Sequence, residues 1–286
     1  MATYSGKDLI KQMENYTPSP GTLAIWSLGQ MGFAIKGGDS RIIYIDPVLT
    51  DIVALKNPED AEHFKRAFSP PLQPEDINNA DYVFCTHEHL DHTDPLTLAG
   101  IVHNSPSAQI IAPNRVRPLL LDIGLGANQF IAADFIAPMD LDGIRVWIIP
   151  AAHYDLEYDE HSGYRYVGYL IQWDNVTLYH SGDTIVYPGY VEKFTHLPEV
   201  DVAILAMNGR DAYRESFGVY GNLMPVEVAW LAKTLGWDVV IHGHNDLFEW
   251  NTISASAVAE AFHSTNPRQK HHALQPGELY LYIKWS

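Results

Sequence analysis

Residues 86–92, Thr-His-Glu-His-Leu-Asp-His, place three imidazoles and two carboxylates within six positions. Any fold this chain adopts has to accommodate that density of polar, metal-competent groups. The run follows directly on the apolar stretch from Asp81 to Cys85. Histidine is the commonest metal ligand, and a neighbouring carboxylate can complete a site or orient a water. A strand that delivers such a cluster into a loop therefore predicts a metal site. The competing reading is a solvated, polar helix start, because Asp and His also suit turns and caps.

The rest of the chain repeats the pattern. Four more apolar runs, 144–150, 176–180, 200–205 and 238–242, are followed by His153, by Ser181-Gly182-Asp183-Thr184, by Asn208-Gly209-Arg210-Asp211 and by Gly243-His244-Asn245-Asp246. Short Val/Ile-rich runs bounded by Gly, Pro and polar residues predict buried strands. Their polar cargo always lies at the C-terminal end, the edge at which α/β sheets assemble sites. Five such strand ends point to a single constellation.

Composition narrows the function classes. The 286 residues are 47% hydrophobic and 19% charged, a globular balance with material for a substantial core. The formal net charge of -17 argues against nucleic acid as a partner, since phosphate backbones are held by Lys/Arg clusters. No apolar stretch approaches the ~18 residues of a membrane span, and the first residues lack the basic start and apolar core of a signal peptide. The single cysteine, Cys85, forbids an internal disulfide and fits a reducing compartment. The expected setting is the cytoplasm, without a membrane partner. The aromatic content admits a homo-oligomer without fixing its size.

The coarse element order predicts one domain over 1–286: two mixed sheets with helices outside, an α/β sandwich. An N-terminal meander is expected at Thr22–Ser27, Phe33–Lys36 and Arg41–Ile45, with Gly-bearing turns. Helices are expected at Asp94–Ala99, at Arg115–Ile123 with Asn114 as N-cap, at Pro225–Leu235 with Pro near N1, and at Ser254–Phe262, before a closing strand at Glu278–Ile283. Two irregular stretches stand out. Asn57–Pro74 is a Pro-punctuated insertion with a helix-like piece around Glu59–Phe68, and Tyr154–Arg165 is expected to overhang the site.

The segment His87-Glu88-His89-Leu90-Asp91-His92 fits the H-x-H-x-D-H signature of the metallo-β-lactamase superfamily. His153, Ser181-Gly182-Asp183-Thr184 and His244 follow in the order that superfamily expects. Tyr179–Thr184, Asn208–Asp211 and Gly221–Met224 look like its ascorbate-phosphate lactonase branch. The resemblance implies a four-layer αββα sandwich with a dinuclear centre at one sheet edge. It implies that His87, His89 and His153 hold one metal, and that Asp91, His92 and His244 hold the second, with Asp183 bridging. The implied cofactors are two divalent ions, manganese or zinc. The implied reaction is opening of a small sugar-acid lactone by a metal-activated hydroxide, with Asp91 and Asp183 as the catalytic carboxylates.

Other residues carry weaker expectations. Arg210 is the candidate grip for an anionic small polar substrate, phosphorylated or carboxylated, because its planar fork suits phosphate or carboxylate. Asn208 beside it and Tyr187 are expected to line the pocket, and Arg214 either assists or pairs with Asp211 or Glu215. Glu88 stands at no ligand position. His242 competes with His244 for the last ligand place, and His180 is read as a packed histidine. A two-metal phosphoesterase remains the alternative reaction, and a non-catalytic metal-binding protein the alternative class.

Overall fold

The computed structural model describes residues 3–134 and 137–284. The first sheet runs, in spatial order, Leu279–Ile283, Thr22–Gly29, Gly32–Lys36, Ile42–Ile45, Tyr82–Phe84, Gln109–Ala112 and Phe130–Ala132. The second runs Lys270–His272, Val239–Gly243, Val202–Ala206, Val176–His180, Val167–Trp173, Ile144–Pro150 and Met139–Leu141. Each sheet is antiparallel in one part and parallel in the other. In the first, pairing turns parallel from Ile42–Ile45 onward. In the second it is parallel from Val176–His180 to Lys270–His272.

Three apolar layers hold the sandwich together. Between the sheets, Ile25, Phe33, Ile45 and Phe84 of one pack with Ile148, Tyr169, Leu178 and Ile204 of the other. The outer face of the first sheet meets Leu9 and Met13 of helix Gly6–Asn15 and Leu98 and Ile101 of helix Pro95–Asn104. The outer face of the second meets Val228 and Leu231 of helix Pro225–Leu235 and Val258 and Phe262 of helix Ala255–Thr265. The layers are thus helix, sheet, sheet, helix. Strands buried on both faces explain the unbroken Val/Ile runs of the sequence, which do not alternate with polar residues.

Several boundaries differ from the sequence reading. The expected helix at Arg115–Ile123 is Arg117–Asp122, and Asn114 does not cap it; the preceding Val116 is itself in helical conformation. Between Glu59 and Phe68 the helical conformation is confined to the turn Pro58–Asp60, which Pro58 starts. The Tyr154–Arg165 stretch folds into a two-residue hairpin, Tyr158–Asp159 against Gly163–Tyr164.

Candidate metal centre

The 86–94 loop is folded back on itself by its own polar groups. The Thr93 hydroxyl donates to the His87 carbonyl (2.5 Å), and the amides of His92 and Thr93 donate to the carbonyl of His89 (3.0 and 2.7 Å). This turns His87 and His92 fully inward and leaves His89 and Asp91 half-buried. Asp183 arrives from the end of Val176–His180 through Gly182, whose φ is +57°. A Cβ there would stand 2.5 Å from the Val167 carbonyl oxygen, so the approach requires glycine. His153 follows Ile144–Pro150, and His244, at φ 58°, follows Val239–Gly243.

All seven expected metal residues come together. Asp183 lies at their middle: its Oδ1 is 3.1 Å from His92 Nε2, and its Oδ2 is 3.4 Å from His153 Nε2 and 3.3 Å from His244 Nε2. Asp91 Oδ2 is 3.3 Å from His244 Nε2 and 3.7 Å from His92 Nε2. Three sets have ligand atoms within 4.8 Å of one another: His87, His89 and His153; His87, His92 and Asp183; Asp91, His92 and His244. His244, not His242, joins this cluster. His242 is stacked against His271 and bonded to it (3.1 Å).

The donor set fits divalent cations. His87 Nε2 is buried with no hydrogen-bond partner among the described residues, and His92 Nε2 and Asp183 Oδ1 are buried with only each other, 3.1 Å apart and poorly aligned, for company, a state that costs stability unless a cation satisfies it. Burial and the surrounding imidazoles push His87 well below its ordinary pKa, leaving a neutral ring with a free lone pair. Burial would raise Asp91 and Asp183, but His92 and His244 outweigh it and hold both carboxyls below the carboxylate range. Burial would lower His244, yet Asp183 and Asp91 raise it to about 9. The carboxylates therefore create a field that demands positive charge, which protons or metal ions can supply.

A supporting shell fixes the rings. Asp46 Oδ2 bonds His92 Nδ1 (2.8 Å) and accepts from the Thr86 hydroxyl (2.6 Å), which also lies 3.0 Å from His87 Nδ1. Both rings are thus pinned through Nδ1 and present Nε2 to the centre. Gln30, in the turn after Thr22–Gly29 at φ 57°, donates its side-chain amide to Asp91 Oδ2 (2.8 Å) and lies 3.0 Å from His244 Nε2. Sequence reasoning missed both roles. Asp46 carried a signal, a carboxylate directly after a buried strand; Gln30, a neutral amide in a glycine-bearing turn, carried none.

The centre opens into a cavity of about 220 Å³, with His89, Asp91, His153, Asp183 and His244 at its floor and Val53, Phe64, Val219, Tyr220, Phe248, Trp250 and Asn251 on its walls. The three expected substrate-binding residues are not on those walls. Arg210 is locked in a two-pronged ion pair with Glu227 (2.7 and 2.6 Å). Tyr187 is buried beside Tyr190, with its hydroxyl on the Pro150 carbonyl. Asn208 is fully buried and acts from behind, donating to the Asn251 side-chain carbonyl (2.9 Å), which also accepts from Arg214 (2.6 Å). Arg214 in turn pairs with Asp211 (2.7 Å). Glu88 accepts from Arg165 (2.5 Å), which also holds Glu157. His180 is packed, bonding the Met31 carbonyl (2.9 Å).

A family profile described as a beta-lactamase superfamily domain matches residues 41–270. A UPF0173 metal-dependent hydrolase of Pyrococcus horikoshii is 32% identical over 188 residues, 64% of this chain and 71% of its own. A probable L-ascorbate-6-phosphate lactonase of Escherichia fergusonii is 24% identical over 279 residues, 87% of this chain and 76% of its own. In fold, the chain is similar to Igni18, a metallo hydrolase from Ignicoccus hospitalis, with a TM-score of 0.68 over 92% of this chain and 100% of that one, at 21% identity.

Proposed function

Because this chain belongs to the beta-lactamase superfamily, we propose that it is a metal-dependent hydrolase that opens a small lactone or a closely related carboxylic ester. The observation that carries this reading is the convergence of buried His87 Nε2, which has no hydrogen-bond partner among the described residues, with His92 and Asp183 behind Asp91, where Asp91 and Asp183 line the floor of a cavity open to a small molecule. His87, His89 and His153 would hold one divalent ion and Asp91, His92 and His244 a second, with Asp183 between them; manganese or zinc suits such a mixed imidazole–carboxylate set. Ions held there supply Lewis acidity toward a carbonyl oxygen and lower the pKa of a water.

The chain's own residues supply the rest. Asp91, the partly exposed carboxylate of the floor, is placed to accept the proton of the attacking water and return it to the departing alkoxide. The Gln30 amide fixes one oxygen of Asp91 and so orients the other. Asp46 and Thr86 hold the His87 and His92 rings, and the walls shed water around the reacting carbonyl. The 24% likeness to a probable lactonase over 87% of this chain favours a carboxyl-ester substrate over a phosphoester.

The test is the pair His89→Ala and Asp183→Asn, assayed on a lactone panel after metal reconstitution. Each should stay folded by circular dichroism, bind less metal by elemental analysis, and lose on the order of 10³-fold or more in turnover, since several kcal/mol of transition-state stabilisation leave with the ion. Full lactone turnover by either folded variant would remove the centre from the reaction.

A further inference from the structure

We propose that the substrate of this centre carries an uncharged, apolar group next to its scissile carbonyl, rather than a phosphate or second carboxylate. The reaction rests on the hydrolase reading above; the binding preference stands on the cavity. Its walls are Val53, Phe64, Val219, Tyr220, Phe248 and Trp250, and Asn251 is the polar exception. Phe64 meets Phe248 and Trp250 edge-on, with ring centroids 5.7 and 6.1 Å away, so one wall is an assembled aromatic surface. Opposite in sequence and loop origin, Tyr220 packs against Tyr154 (4.9 Å) and reaches the His153 ring (6.2 Å), carrying the aromatic lining down to the floor.

No lysine or arginine among the described residues lines this cavity. The nearby candidates are engaged elsewhere. Arg210 is held by Glu227, Arg214 by Asp211 and Asn251, and Arg165 by Glu88 and Glu157. Arg66 donates to the Val48 and Thr50 carbonyls through Nη1 alone, its Nε and Nη2 being buried without a hydrogen-bond partner among the described residues, but it lies over the Phe68 ring and lines a separate groove, not this cavity. A substituent bearing its own negative charge would be stripped of water against aromatic carbon with nothing to pair it, inside a protein of net charge -17. An apolar substituent gains from the same walls in proportion to the area it buries. The volume of about 220 Å³ falls below the ~300–1,000 Å³ of drug-sized sites, which limits the group to a short alkyl chain or a single ring.

The experiment uses the metal-loaded protein and two matched series. One is a γ-lactone bearing butyl, phenyl, carboxymethyl or phosphomethyl, scored by kcat/KM. The other is the corresponding cyclopentanones, which cannot be hydrolysed, scored by calorimetric affinity. The apolar members should exceed the charged ones by about tenfold or more in both readouts, the scale of one or two well-placed methylenes. Tyr220→Ser and Trp250→Ala should narrow that gap, and Val219→Lys should shift preference toward the phosphomethyl ring by supplying the missing cation. Equal or tighter binding of the charged ketones, or no binding of any ketone, overturns the proposal. Selective binding of apolar ketones without lactone turnover supports it while sinking the lactone reaction, and turnover without apolar preference does the reverse.

Discussion

Asp46 stands outside the cavity, yet its carboxylate sets the tautomer of His92 and anchors Thr86, which steadies His87. Such carboxylate–imidazole contacts raise ligand basicity and fix ring orientation. Asp46→Asn should therefore weaken metal binding by about 10- to 100-fold, measured by competition with a chromogenic chelator; unchanged affinity would leave Asp46 a purely structural residue. His180 makes a pH prediction. Burial holds its imidazole below the usual histidine range, against an upward pull from Asp46. The unfolded chain then binds the extra proton first. The stabilising contribution is complete above the ordinary histidine value of about 6.5 and is lost as pH falls from there through the depressed folded value. In metal-free protein the melting temperature should drop between about pH 7 and pH 5, and His180→Asn should flatten that slope. At this scale the sequence revealed residues that share a recurring address, a strand's C-terminal end, and hid those whose role depends on a partner far along the chain. Arg210 looked free because nothing local said that Glu227, on helix Pro225–Leu235, would claim its fork.

Among the elements, helix Pro95–Asn104 is the one tied most closely to the centre. Its N-cap, Asp94, is fully buried and accepts from the amides of Leu96, Thr97 and Thr50 and from the hydroxyls of Thr50 and Thr97. One carboxylate thus starts the helix, ends the histidine loop and holds the 46–50 segment. Asp94→Ala should cost at least the upper end of the ~0.5–2 kcal/mol usual for a cap, read from urea unfolding; a loss below ~0.5 kcal/mol would mean the three connections are redundant. Helices that announced themselves in sequence had strong end signals. Pro225–Leu235 begins with Pro at its first position and stops at Gly236 in the left-handed conformation. Gly6–Asn15 went unread because it has neither, and only Leu9, Ile10 and Met13 turn inward. The Glu59–Phe68 piece has helix-forming residues, but Phe64 packs on Phe248 and Trp250 and Phe68 under Arg66 without a regular helix, and packing decides such cases.

For the molecule as a whole, the centre draws on both sheets: residues 87–92 follow the first, while His153, Asp183 and His244 follow the second. Ions held among them would tie the two halves together, so their removal acts on global stability. Restoring manganese or zinc at about 100 times its dissociation constant should add ~2.7 kcal/mol to the chelated protein, seen as a rise of several degrees in scanning calorimetry. No rise despite bound metal would mean that ions bind the unfolded chain equally well. The two-sheet plan itself was legible because buried strands and their polar endings are local signals. The pairing order was not, since which strands become neighbours is settled by topology rather than by any window of sequence.

That topology also has a temporal consequence. Thr22–Gly29 takes Leu279–Ile283 as its outer neighbour, with Thr22 opposite Ile283 and Trp26 opposite Leu279. A strand made long before its neighbour therefore keeps one edge open until residues near 283 have left the ribosome. Such open edges invite pairing with other chains, and closing so long a loop is slow. The protein's exposure to aggregation is thus raised until the Leu279–Ile283 strand emerges, and chaperone capture in a cell is expected at that stage.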